Sequence, residues 1–191
     1  MNKIGILNLQ GAVSEHLDIT KKAINKTNID CQVNAVRYHD EVGKCDGIII
    51  SGGESTVIGK LIKERRIDKV IKENEIPVFG TCAGMVLMSK KTDHDHEIFN
   101  IIPMEVERNS FGSQKNSFER EIEILGSRFH GVFIRAPLVK RICNDDVDVL
   151  SKIDDKIIAV KYDNNMALSF HPELTEDTRL HEYYLKEVLN L

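Results

Sequence analysis

The stretch Ile76-Pro77-Val78-Phe79-Gly80-Thr81-Cys82-Ala83-Gly84-Met85-Val86-Leu87-Met88 decides the fold. Its apolar opening reads as a buried strand over Pro77 to Phe79, and Ala83 to Met88 opens a helix buried against it. A sharp strand-to-helix turn forces its central residue into a strained backbone and tolerates only small neighbours. Gly80 and Gly84 give Cys82 that room. The turn holds the thiol out of the carboxyl edge of the sheet, where open α/β sheets place their sites. The helix beginning at Ala83 turns its positive end toward the sulfur, and the Ala83 N–H faces a developing oxyanion.

A second signal answers the first. The apolar run Met166-Ala167-Leu168-Ser169-Phe170 leads into His171-Pro172-Glu173. Positions two apart on extended chain point the same way, and Pro172 holds the histidine before it in extended geometry. Glu173 can then reach one ring nitrogen of His171 while the other faces the thiol. Cys82, His171 and Glu173 thus read as nucleophile, base and orienter.

The same alternation runs outward from the turn. Ile4 to Leu9, Cys31 to Val36 and Gly47 to Ile50 read as strands, and Val13 to Ile24 and Val57 to Ile71 as helices. That pattern means a parallel sheet covered by helices on both faces. The second half is strand-rich: Met104 to Glu107, Glu119 to Ile124, Gly131 to Ile134, Val147 to Leu150, Ile157 to Tyr162 and Met166 to Ser169. These are expected to extend the sheet as antiparallel strands, before a closing helix from Thr178 to Leu189. Nothing divides the chain, so residues 1–191 read as one three-layer α/β/α domain with a mostly parallel central sheet, a flavodoxin-like architecture.

Composition narrows the function. Over 191 residues, 41% are hydrophobic and 29% charged, with a net charge of -4. That is ordinary globular composition, and without a concentrated basic patch it argues against nucleic acid. The opening Met1-Asn2-Lys3 runs straight into a strand too short for a signal peptide's apolar core, and no stretch is long enough to span a bilayer. Cys31, Cys45, Cys82 and Cys143 lack the short spacings of a zinc site or disulfide framework. The expectation is a reduced, cytoplasmic protein without membrane contact.

Other candidates are weaker alone. In Ser51-Gly52-Gly53-Glu54-Ser55 the paired glycines can turn backbone N–H groups toward a ligand, so Gly52 and Gly53 join Ala83 as oxyanion donors. Arg108 and Arg135 each end or follow an apolar strand, where either can clamp a carboxylate. The remaining histidines, His16, His39, His94, His96, His130 and His181, take a structural reading. Asp93-His94-Asp95-His96-Glu97 reads as a solvated loop rather than a metal site.

With these residues in place, the chain resembles the triad-type glutamine amidotransferases, and within them the glutaminase subunits of pyridoxal 5'-phosphate synthase. Gly80 to Gly84 and His171-Pro172-Glu173 carry the superfamily match. Leu9 to His16, Ser51 to Thr56, Glu107 to Gly112, Gly131 to Pro137 and Ser169 to Thr175 carry the narrower one, from end to end of the chain. The resemblance implies Cys82, His171 and Glu173 as the triad, and L-glutamine contacts at Gly53, Glu54, Ser55, Arg108, Ile134 and Arg135. It implies that Gln10, Gly11, Ala12 and Val13 face the synthase barrel subunit, which receives the ammonia, and that no cofactor or metal is needed. It also implies that glutaminase activity rises on docking. One departure stands out: Ser113 occupies a position where the family usually has arginine. The rival readings are a glutaminase subunit of another synthase, a cysteine peptidase, and a catalytically silent binding module.

Overall fold

The computed structural model describes residues 1–111 and 117–191; the departure at Ser113 lies outside them. The first half alternates as expected: β1 (Asn2–Leu7), α1 (Val13–Thr27), β2 (Cys31–Val36), α2 (His39–Val42), β3 (Gly47–Ile50), α3 (Ser55–Glu64), α4 (Ile67–Glu73), β4 (Val78–Thr81) and α5 (Ala83–Met88). The second half holds β5 (Ser89–Thr92), β6 (Ile102–Glu107), β7 (Ser117–Ile124), β8 (Ser127–Ile134), β9 (Leu138–Ile142), β10 (Asp148–Ile153), β11 (Lys156–Tyr162) and β12 (Asn165–Leu168). A 3-10 turn (Pro172–Leu174), α6 (Arg179–Tyr183) and a π-helical turn (Tyr184–Val188) complete it.

Among the described residues the main sheet runs β2-β1-β3-β4-β12-β11-β9-β6-β5, with β10 on β11. Strands β2, β1, β3, β4 and β12 are mutually parallel. Alternation along each strand makes the three layers. Ile48, Ile50, Val78 and Ala167 face the core under α3, α4 and α5, while Ile49, Phe79, Met166 and Leu168 face the core under α1 and α6. Among the described residues no helix is long and apolar enough to cross a membrane.

Three expectations need correction. The helix expected from Val57 to Ile71 is two helices, because Arg66 adopts a left-handed backbone, φ 57°. Ile58 and Ile62 are buried, and so are Ile67 and Ile71. In one continuous helix Ile67 would point about 140° away from Ile62; the break restores its phase. Strands β7 and β8 do not extend the main sheet but pair with each other as a separate antiparallel hairpin. The hairpin's apolar face, with Phe129 and Phe133, packs on Phe170 instead. Strand β12, grouped with the antiparallel set, pairs parallel with β4 through Met166–Phe79, Ala167–Gly80 and Leu168–Thr81. That last pairing matters most, because it brings the segment after β12 beside the turn after β4.

The turn depends on close approach. A Cβ at Gly84 would lie 2.4 Å from the Ile50 carbonyl oxygen, a backbone atom that cannot swing away. Gly84→Ala therefore pushes α5 off β3, an overpacking cost of about 2 kcal/mol. The expected result is a thermal midpoint lower by roughly 4–8 °C; an unchanged melting curve would contradict this seating.

Candidate active site

Four loops converge at the carboxyl ends of the parallel strands: Asn8 to Ala12 after β1, Ser51 to Glu54 after β3, Cys82 after β4, and Ser169 to Glu173 after β12. Cys82 sits at φ 50° and ψ -103°, a backbone disfavoured for a residue with a Cβ. Its N–H donates to the Leu168 carbonyl at 2.8 Å, so the β12 pairing pins the turn. The residue is 8% exposed and lines a cavity of about 700 Å³. Its sulfur lies 3.6 Å from the Ile134 carbonyl oxygen at the end of β8.

His171 and Glu173 meet as expected, with Nδ1 2.7 Å from Oε1. The backbone N–H of His171 donates to the Val132 carbonyl at 2.8 Å, tying it to the hairpin. Gly52 is the spacer on the other side: a Cβ there would fall 2.4 Å from His171 Cε1 and 3.3 Å from Cys82 Cβ. Only glycine lets thiol and imidazole come together over this loop. Nε2 of His171 lacks a hydrogen-bond partner of full geometry among the described residues, and the Cys82 sulfur is the group that acts on this side of the ring. Burial alone would push the imidazole down. The Cys82 sulfur and the Glu173 carboxylate outweigh it and hold the ring's proton, pushing it up to about 10. His171 is thus an imidazolium at neutral pH.

Around this trio the cavity wall includes Gly53, Glu54, Ser55, Ala83, Arg108, Ile134 and Arg135, seven sequence candidates brought to one place. Gly52 lies behind that wall, against His171 and Cys82. Gln10 and Gly11 are exposed beside the site, with Ala12 and Val13 half-buried. Gln10 is bonded into the rim: its Oε1 accepts from the Glu54 N–H at 2.8 Å, and its carbonyl accepts from Ser51 Oγ at 3.0 Å.

Burial pushes Cys31 and Cys45 up to about 11, with the Asp46 carboxylate adding to the effect. Among the described residues no cluster of His, Cys, Asp or Glu has the makings of a metal site.

Sequence reasoning missed four residues. Asp93, placed in a solvated loop, pairs with Arg108 at 3.5 Å through Nε and accepts its backbone N–H at 3.3 Å, while His94 of that loop lines the cavity. His16 and His181, read as structural, are completely buried behind Glu173. Nothing local marks them, since their proximity appears only once α1 and α6 pack against the 3-10 turn.

Residues 6–190 match the SNO glutamine amidotransferase family. The chain belongs to that family. It is 62% identical over 192 residues to the pyridoxal 5'-phosphate synthase subunit PdxT of Methanobrevibacter smithii, covering 100% of this chain and 98% of that protein. It is 56% identical to the subunit of the same name from Methanothermobacter thermautotrophicus, again over 100% and 98%. A crystal structure described as a glutamine amidotransferase superposes with a TM-score of 0.86 at 38% identity, covering 98% of this chain and 99% of that one. The fold expected from the alternation is the family's own.

Burial keeps His16 and His181 below their ordinary histidine values. Unfolded, both take up protons near pH 6.5. The unfolded chain therefore binds more protons below that point, and their contribution to stability is lost as pH falls from about 6.5. His171, raised in the fold, works in the opposite window: its contribution is complete below about pH 6.5 and fades as pH rises toward 10. The urea midpoint is expected to drop between pH 6.5 and 5.0, and His181→Phe to flatten that drop. A slope identical in wild type and variant would contradict it.

Proposed function

We propose that this chain is the glutaminase subunit of a pyridoxal 5'-phosphate synthase, hydrolysing L-glutamine to glutamate and delivering the ammonia to the synthase barrel subunit. One observation carries the chemistry: Cys82, His171 and the His171-bound Glu173 converge at the sheet edge, with thiol and imidazole both on a cavity flanked by Glu54, Arg108 and Arg135. Identity of 62% along the whole chain to a synthase subunit supports the choice of partner over any other ammonia-using synthase.

Glutamine enters with its side-chain amide against Cys82. The Cys82 sulfur, its proton held on His171, attacks the amide carbon, and the N–H groups of Ala83 and of the Gly52-Gly53 loop receive the developing oxyanion. His171 gives its proton to the departing nitrogen, releasing ammonia and leaving a γ-glutamyl thioester. Water, deprotonated by the now neutral His171, then hydrolyses the thioester to glutamate, and the sulfur leaves with the proton back on His171. Glu54, with Ser55 and Gly53 beside it, binds the α-ammonium end. Arg108 takes the α-carboxylate: Asp93 fixes its backbone, and its buried Nε has no full hydrogen bond of its own among the described residues. Ile134 and Arg135 close the opposite wall, and the Gln10 to Val13 segment, exposed at Gln10 and Gly11, meets the barrel. No step calls for a cofactor. We assign the reaction to the cytoplasm, where the free cysteines stay reduced.

The Gln10 bonds to Glu54 and Ser51 give the partner a direct hold on the oxyanion loop. The chain alone is accordingly expected to release little ammonia from glutamine, and vigorous turnover without the barrel would contradict this.

Mixed with its barrel subunit, Cys82→Ala is expected to lose glutamine-dependent product by roughly a thousandfold or more while ammonium salts still support synthesis. Persistent glutamine hydrolysis in that variant would refute the assignment. Arg108→Ala is expected to raise KM for glutamine about tenfold or more, the weight of one charged hydrogen bond, with kcat little changed. An unchanged KM would remove Arg108 from the substrate site.

A further inference from the structure

Glu173 is 5% exposed, and only one of its oxygens is bonded by His171. The other, Oε2, is buried with no hydrogen bond of full geometry among the described residues, and the ring nitrogen facing it is His16 Nε2 at 3.4 Å. That nitrogen also lies 3.2 Å from Thr81 Oγ1, next to the nucleophile in sequence. The far nitrogen of the ring, His16 Nδ1, lies 3.2 Å from His181 Nε2. His181 Nδ1 is buried without a hydrogen-bond partner among the described residues, with the Phe79 ring 5.3 Å from its own.

These contacts fix where the protons sit. A neutral histidine carries one N–H. Suppose His16 carried it on Nδ1 and gave it to His181. Its Nε2 lone pair would then face a carboxylate, and His181 would bury an N–H on Nδ1 with no acceptor. In the opposite arrangement His181 Nε2–H donates to His16 Nδ1, and His16 Nε2–H points at Glu173 Oε2 and Thr81 Oγ1. What stays unpaired is then a lone pair, which is tolerated where a buried donor is not. The second arrangement is the one the packing allows.

We propose that His16, held in its Nε2–H tautomer by His181, is a positioning residue that fixes the free oxygen of Glu173 and so holds His171 in line with Cys82. This rests on the reading of Cys82, His171 and Glu173 as the reacting triad. His16 touches neither substrate nor sulfur; it acts through the carboxylate, as outer partners of a histidine-holding carboxylate do elsewhere. Burial keeps the ring neutral, so it supplies a fixed dipole rather than a competing charge. Burial opposes a carboxylate here too, but His16 and His171 outweigh it and keep Glu173 below its ordinary range.

The test compares steady-state glutamine hydrolysis, with saturating barrel subunit, for wild type, His16→Met, His16→Gln and Glu173→Gln. Glutamine's side-chain nitrogen falls near the place of His16 Nε2 and keeps the donor; methionine fills the space without one. His16→Met is expected to lose about tenfold or more in kcat with KM within about threefold, and His16→Gln to return to within about threefold of wild type. Wild-type kcat in His16→Met, a His16→Gln as slow as His16→Met, or a loss confined to KM would overturn the proposal. Should the methionine variant not fold, nitrogen-15 NMR of the wild-type chain decides: Nε2–H tautomers at His16 and His181 support it, and an Nδ1–H His16 overturns it. If Glu173→Gln turns over like wild type, the triad reading falls and takes this proposal with it. If Glu173→Gln is dead while both His16 variants run at full speed, this proposal alone fails.

Discussion

The backbone at Cys82 is the constraint from which the rest of the site follows. A residue with a Cβ is held at φ 50° and ψ -103°, a conformation kept only when its surroundings leave no alternative. Those surroundings are identifiable. The Cys82 N–H is taken by Leu168 of β12, and Gly84 lets α5 press onto the Ile50 carbonyl. Gly52 allows the neighbouring loop to close over sulfur and imidazole together. Strain at one residue is thus balanced by packing across four elements, and it leaves the sulfur at the cavity wall.

The same logic explains a buried carboxylate. Glu173 reaches the interior as an ion because His171 and His16 face it from two sides and its own N–H also favours the charge. With the carboxylate charged, His171 keeps its proton despite burial, as expulsion of nitrogen from an amide requires. The two inner histidines pack edge to face on Phe79 behind it, and Tyr184 lies tilted against the same ring. The Glu173–His171 pair is therefore backed by aromatic core.

Much of this was legible in the residues. The strand-turn-helix at Cys82 and the extended His171-Pro172-Glu173 pair are local features, fixed by glycine, proline and alternation within a few positions. The parallel half of the sheet follows from apolar runs such as Gly47 to Ile50, which only a doubly covered sheet can bury. What escaped was non-local. The phase reset at Arg66 answers to the core under α3 and α4, and the independence of the β7–β8 hairpin answers to its seating on Phe170. Asp93 reaches Arg108, which lines the cavity, only because β5 lies beside β6 and turns it that way. His16 and His181, far apart in the chain, acquire meaning only when α1 and α6 meet over the 3-10 turn.

The account stands on Cys82 being the thiol that lies on the cavity beside His171, with Cys31 and Cys45 held protonated by burial. The most direct measurement treats the chain, with its barrel subunit, with a chloroketone analogue of glutamine and maps the modified peptide by mass spectrometry. The account predicts a single adduct on the peptide carrying Cys82, suppressed by excess glutamine. An unmodified Cys82, or an adduct on Cys31, Cys45 or Cys143 in its place, would contradict it.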